Sequence, residues 1–340
     1  MGRGHFRRLF NHPQAEVVAV CDRVQARREG DWNDALGNFN VVMSQTGRAP
    51  VENMARYETH EQLIADQNVD VVLLALPTVL HSPVAVAALN AGKHVFTEKP
   101  MATNPAECDR MIAAAEKNDR KLMVGQCIRF WPQYVTIKRL VDEGRIGKVL
   151  FVTLRRVGSP PLHSHNNWML DAAQSGGAIL DLHVHDVDFA HYFLGLPDTI
   201  SACGTQGPSH GIDHVVATYG YADGRYAVLE GGWAFAAPWP FDMAIAVHGE
   251  RGTIEWTMTR GNDVMLYAGG EKPEAFSSEG DVLLLELDYF IECIRSNRAP
   301  ERCSPASCRT SVVLAWLEKR SIETGRVLKV SEHLHEIWRG

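Results

Sequence analysis

Val69-Asp70-Val71-Val72-Leu73-Leu74-Ala75-Leu76-Pro77-Thr78-Val79-Leu80-His81, followed closely by His94-Val95-Phe96-Thr97-Glu98-Lys99-Pro100, decides the fold. Val69 to Leu76 is nearly all apolar, as a parallel strand covered on both faces should be. The segment His81 to Ala91 has the pattern of a helix stopped by Gly92, and His94 to Thr97 forms the next strand. Strand, helix and strand in that order make a right-handed crossover in an open parallel sheet. Downstream, Asn104 opens a second helix with Pro105 at its first position, running to Asn118, and Lys121 to Gly125 is another strand. Upstream, the β-branched run Glu16-Val17-Val18-Ala19-Val20-Cys21 ends at Asp22. Residues 1–124 therefore read as a doubly wound α/β domain.

After Gly125 the rhythm changes. A helix is expected over Pro132 to Glu143 and a strand over Lys148 to Val157. A loop rich in Pro, Ser and His follows, and then a helix over Ala178 to Leu194. From Thr199 to Leu266, strand-like segments separated by turn residues read as an antiparallel meander. Amphipathic helices over Val282 to Ser296 and Pro305 to Thr324 close the chain. Residues 125–340 form the second domain.

Composition bounds the function. At 340 residues the chain exceeds the size at which one core stops growing. A net charge of −7 without a basic block argues against nucleic acid as partner. No stretch approaches the roughly 20 apolar residues of a membrane span, and the N-terminus lacks an apolar signal core. Seven scattered cysteines without CxxC pairs suit reduced thiols in the cytoplasm.

A dinucleotide site needs a strand, a glycine-rich turn, a helix facing the pyrophosphate, and an acid after the second strand. Asp22 is that acid, placed to accept hydrogen bonds from ribose hydroxyls. Gly2 lies 20 residues before it, the separation expected of the last glycine in the turn, and a helix follows from His5 to Asn11. The first strand and the two earlier glycines are missing, since the chain starts one residue before Gly2. Either Met1 is internal to a longer natural protein, or this chain binds cofactor poorly. Asp22 would repel a 2′-phosphate and so favours NAD; Arg23 beside it partly offsets this and leaves NADP open.

Two motifs carry the chemistry. Glu98-Lys99-Pro100 sits at the carboxyl end of a parallel strand, where open α/β sheets bind ligands. Lys99 can hold a substrate hydroxyl and favour its alkoxide, while Pro100 raises the chance of a cis bond that fixes where Lys99 points. The second motif runs from Ser175 to Asp188 and holds Asp181 and His185 at i and i+4 of a helix. His185 would take the hydroxyl proton as hydride leaves the same carbon, and Asp181 would orient substrate or stabilise the charged imidazole. Taken singly, the tripeptide also fits a surface lysine after a strand, and the pair an ordinary helix with a buried histidine.

In this order the pieces Gly2 to His5, Asp22, Pro77 to His81, Ala91 to Val95, Glu98 to Pro100 and Ser175 to Asp188 resemble the glucose-fructose oxidoreductase / inositol dehydrogenase (Gfo/Idh/MocA) family. The resemblance covers essentially the whole chain. It implies a Rossmann-type domain followed by an α/β domain with an open, mostly antiparallel sheet that binds substrate and carries the oligomer contacts. It implies Lys99, Asp181 and His185 as catalytic residues. Gly2, His5, Asp22, Arg23, Pro77, Thr78, His81, Glu98, Lys99 and Gln126 would line the cofactor, with Arg129, Trp168, Asp181 and His185 at the substrate. Trp168 is equally readable as an anchor for its loop. His183 stands where the family often has a small residue, so it would narrow the pocket or add a polar contact. The implied activity is NAD(P)-dependent oxidoreduction of a carbinol carbon in a sugar, cyclitol or related polyhydroxylated molecule, by a homodimer or homotetramer. No metal is required.

Two rival readings are a metal-dependent hydrolase and a sugar-binding protein that lost turnover. The first would use the HxH pairs His163/His165 and His183/His185 with Asp186, although i and i+2 diverge on a helix.

Overall fold

The computed structural model describes residues 1–33, 47–162, 164–270, 272–333 and 335. Its first half opens with α1 (Gly2–Leu9) and contains the strands β1 (Ala19–Cys21), β2 (Ala55–Tyr57), β3 (Val71–Leu74), β4 (His94–Glu98) and β5 (Leu122–Gly125). All pair in parallel, but in two sheets: β1 with β2, and β3-β4-β5. The gap between the two agrees with the first strand that the sequence lacks. No described strand joins β1 to β3, so β3 is an edge, and Val71 is exposed rather than covered on both faces. β4, the middle strand, has four of its five residues buried.

The helix boundaries follow their caps. Helix His81–Asn90 ends before Gly92, whose φ of +80° breaks the helical path at a residue that tolerates it. Asn104 accepts from the Glu107 amide at 3.0 Å and Pro105 starts helix Pro105–Lys117.

The second half is built on a nine-stranded sheet. Its strands are β6 (Val149–Val157), β7 (Thr199–Gln206), β8 (Ile212–Gly220), β9 (Tyr226–Gly232), β10 (Asp242–Gly249), β11 (Gly252–Thr257), β12 (Asp263–Tyr267), β13 (Glu274–Ser277) and β14 (Leu328–Lys329). Their order is β13-β12-β11-β10-β6-β9-β8-β7-β14. Every neighbouring pair is antiparallel except β6 and β9, which run parallel. The meander expectation is corrected at that point, because β6 inserts between β9 and β10. It belongs there because Val152, Leu154 and Arg156 alternate onto the covered face.

The expected helix Ala178–Leu194 is two helices, Ala178–Asp181 and Val184–Leu194. At the break, the His183 amide reaches back five residues to the Ala178 carbonyl at 2.8 Å. Helices Val282–Arg295 and Pro305–Thr324 then return to the first half. Leu287, Phe290, Cys308 and Val312 complete the apolar core around β3-β4-β5. On the last helix Val313, Leu314 and Leu317 face the other core, under the large sheet. That helix is buried on two sides and ties the halves together.

Candidate active site

Three parallel strands end side by side, and the residues just past them make the site. Past β3, Pro77 leads into a tight turn, Thr78–Leu80. Past β4 come Lys99 and a cis Lys99–Pro100 peptide. Past β5 lies Gln126, fully buried. His81 fastens two of these turns: its ring nitrogens lie 2.9 Å from the Pro100 carbonyl and 3.0 Å from the Leu76 carbonyl. Its polar atoms are therefore committed to backbone, and it shapes the cofactor edge without facing it.

Lys99 meets the second motif. Its Nζ donates to the Asp181 carbonyl oxygen at 2.6 Å and to Asp181 Oδ1 at 3.2 Å. Asp181 closes the first short helix, which is itself pinned at its start by Asp213. The Asp213 carboxylate, fully buried, accepts from the Ala178 amide at 3.2 Å and from the Ser209 amide and hydroxyl.

His185 is 8% exposed and its Nδ1 has no partner. Burial, reinforced by the charges of Lys99 and Arg156, holds its imidazole well below the ordinary pKa, so the ring is neutral and can accept a proton. Lys99, Asp181 and His185 thus gather at one place: a cation, the carboxylate that orients it, and a neutral base.

The other face of the same helices is held by buried charge. The Arg156 guanidinium donates to both oxygens of Asp186 at 3.0 and 3.1 Å. Arg129 donates to both oxygens of Asp188 at 2.6 and 2.8 Å. His183 Nε2 stands 3.0 Å from Glu318 Oε2, and Tyr219 donates to Glu318 Oε1 at 2.7 Å. Burial works against charge on His183, but Glu318 outweighs it and holds the imidazole above its ordinary pKa. His183 therefore turns away from the site, against Gly231, where a Cβ would stand 2.3 Å from its Nδ1. The expected pocket contact from His183 is corrected. Arg129 is largely committed too: it also donates to the Arg302 carbonyl at 2.8 Å and to Ser307 Oγ at 2.9 Å, so most of its donors are spent within the fold. Arg129 also borders a groove of about 380 Å³ with Lys138, Arg139 and Arg302, apart from the site. Lys138 and Arg139 there are paired to Asp142 and Glu143.

Several features fit a nicotinamide dinucleotide. Gly2 begins α1 against the end of β3; a Cβ there would stand 3.3 Å from Ala75 Cβ, so only glycine allows the full approach. Asp22 follows β1 half-exposed, with Oδ1 accepting from the Val24 amide at 2.9 Å, and Arg23 beside it is exposed. Thr78 Oγ1 and both amide atoms of Gln126 are buried without partners. Such orphans are rare, and a polar ligand at the carboxyl edge of the sheet would satisfy them. His5 and Glu98, both buried, bond each other at the end of β4, His5 Nε2 to Glu98 Oε1 at 2.5 Å. Trp168 is half-buried on the loop after β6, in the turn His165–Leu170. His165 Nδ1 of that turn lies 3.2 Å from Arg27, three residues past Val24.

The hydrolase reading finds no support in these positions. His163 lies outside the described residues, while His183 faces Glu318 and His185 Nδ1 has no partner. Among the described residues the one group with metal-ligand spacing is His5, Glu98 and Glu286. Sequence reasoning missed Arg156, Asp213, Glu286 and Glu318. Two carried a signal: Arg156 falls on the apolar alternation of β6, and Glu286 on the stripe Leu283, Glu286, Leu287, Phe290.

Comparison with known proteins agrees with this geometry. Residues 1–126 match the oxidoreductase family with an NAD-binding Rossmann fold, and residues 134–255 match the GFO/IDH/MocA C-terminal domain. Myo-inositol 2-dehydrogenase of Thermotoga maritima is 31% identical over 291 residues, 81% of this chain and 84% of that enzyme. The crystal structure of a probable dehydrogenase from Thermotoga maritima superposes with a TM-score of 0.76 at 26% identity, over 97% of this chain and 96% of that one. An aldose-aldose oxidoreductase from Caulobacter crescentus, complexed with glycerol, shares the fold with a TM-score of 0.79 at 24% identity, over 96% and 95% of the two chains. With both domains matched in order around one carboxyl-edge site, the chain belongs to the Gfo/Idh/MocA family of NAD-dependent oxidoreductases.

Proposed function

We propose that this protein oxidises a ring carbinol of a cyclitol or sugar, or reduces the matching carbonyl, with Lys99, Asp181 and His185 as its reacting groups. The observation that carries the reading is the meeting of the Lys99 ammonium with Asp181 beside a neutral, buried His185. NAD, when bound, supplies the hydride acceptor or donor. Lys99 holds the substrate oxygen and stabilises its negative charge. His185 takes the hydroxyl proton in oxidation and returns it in reduction. Asp181 keeps Lys99 in place. Gly2, Asp22, Pro77, Thr78 and Gln126 are the residues suited to hold the dinucleotide, and the loop from Gly158 to Ala173, with Trp168, to select the substrate. Asp22 favours NAD over NADP. The protein acts in a reducing, cytoplasmic setting, a reading supported by its seven free cysteines. It assembles as a homodimer or homotetramer through the exposed face of the nine-stranded sheet.

The test is NADH formation with a panel of inositols and aldoses, alongside NAD binding by fluorescence. Turnover with a cyclitol or sugar, lost in Lys99→Ala and His185→Ala, is expected. Tight sugar binding with neither NAD binding nor turnover would replace this reading with that of a non-catalytic sugar-binding protein.

A further inference from the structure

Beside Lys99 lies a group of titratable side chains that the chemistry above does not use. Glu98, at the end of β4, has its Oε1 2.5 Å from His5 Nε2. Facing them from helix Val282–Arg295 is Glu286, with 0% of its surface exposed and both carboxylate oxygens without a partner. One ligand atom from each of His5, Glu98 and Glu286 lies within 4.8 Å of the others. Two carboxylates and one imidazole at that spacing leave negative charge uncompensated, unless a cation joins them or a carboxylate takes a proton.

The spacing favours the proton. Two ligands at about 2.0–2.2 Å from one tetrahedral zinc ion stand roughly 3.3 Å apart. His5 and Glu98, at 2.5 Å, are closer than that and form a hydrogen bond. Glu286 is the carboxyl group left over.

We propose that Glu286 is a positioning residue: kept neutral, it packs against the His5–Glu98 pair, and so holds the turn from which Lys99 reaches Asp181. Each side of the latch comes from a different part of the chain, α1, the end of β4 and a helix near the C-terminus. The charged groups around Glu286 are Arg8 and His5 on α1, Glu98 and Lys99 at β4, and Asp281 at the start of its own helix. Cys127, past β5, and the Met1 amino group complete the surroundings. Burial, then the negative charge of Glu98, push the Glu286 carboxyl well above its ordinary range; Asp281 adds to this and Arg8 opposes it. Burial also raises Glu98, but His5, Met1 and Lys99 together hold it below its ordinary range. The two carboxyls are driven apart, and only Glu286 carries the proton.

The sign follows from linkage. A group whose folded pKa is raised stabilises the fold below its ordinary pKa and loses that contribution as pH rises through the folded value. Ionising Glu286 would set a second negative charge beside Glu98, one residue from Lys99. Turnover and stability should therefore fall together as pH rises from the ordinary carboxylate range through the raised value of Glu286.

The inference rests on Lys99 as a reacting residue, so its test has one arm that needs no turnover. The melting temperature and kcat of the full chain are measured from mildly acidic to alkaline pH for the wild type and Glu286→Gln, whose amide imitates the neutral acid. Wild type should lose melting temperature as pH rises through the raised value of Glu286, with kcat falling about tenfold per pH unit once the proton leaves. Glu286→Gln should flatten both declines, and Glu286→Asp should keep them. Profiles of melting temperature against pH that coincide for wild type and Glu286→Gln would overturn the proposal. So would a stoichiometric metal ion in purified wild type that Glu286→Gln lacks. A flattened melting profile without turnover in any variant would leave the latch standing and remove the proposed chemistry.

Discussion

At Lys99 and His185 the environment does the assigning of roles. The ammonium is held from two sides by one residue, Asp181, and its charge helps keep the nearby imidazole unprotonated. His185 observed by NMR should titrate well below the ordinary histidine value, and the acid limb of kcat/KM should follow it. Titration near that ordinary value would remove it as the resting base. For a base with a depressed folded pKa, the stability contribution is complete above the unfolded value and drains as pH falls below it. Lys99→Ala and His185→Ala should lower kcat by about 10²-fold or more while leaving the NAD Kd near its starting value. An equal loss of NAD affinity in both would contradict the assignment. Asp22→Ala should weaken NAD and relax discrimination against NADP, read from the ratio of the two dissociation constants; an unchanged ratio would take Asp22 out of the ribose site.

At the scale of the element, the pair of helices from Ala178 to Leu194 carries two kinds of charge on two faces. Asp181 and His185 face the first domain, and His183, Asp186 and Asp188 face Glu318, Arg156 and Arg129. The sequence shows the i, i+4 spacing of Asp181 and His185 but not this division. The partners lie 30 to 135 residues away, and nothing local to the helices reveals them. Arg129 shows the same limit: the resemblance places it near substrate, and only the fold supplies Asp188 as its partner. By contrast the cap Asn104, the stop at Gly92 and the bounds of helix Pro305–Thr324 are local facts, and the sequence discloses them. Asp186→Asn leaves Arg156 buried without its counter-charge and should cost about 3–5 kcal/mol in urea unfolding. A loss under about 1 kcal/mol would show that the pair is not what fixes the helix.

At the scale of the whole molecule, fold class and domain order were legible because runs of apolar residues alternate with capped helices over long stretches. The gap between β1 and β3 agrees with the missing first strand, whereas the insertion of β6 between β9 and β10 was not legible, since strand order leaves no local trace. The proposed assembly has its own test. Thr218 is exposed on β8, and Thr218→Arg should dissociate an oligomer that uses this face, by light scattering. An unchanged mass would move the contact elsewhere.

The closing helices carry one more consequence, for synthesis. Leu287, Phe290, Cys308 and Val312 fill the core around β3-β4-β5, although the strands themselves are translated more than 150 residues earlier. During translation the first half emerges with that apolar surface uncovered, and it stays uncovered until the last helix clears the ribosome. The nascent chain is therefore a client for holding chaperones over most of its elongation. A nonsense mutation anywhere before Val282 would yield an adhesive fragment and not a free-standing cofactor domain.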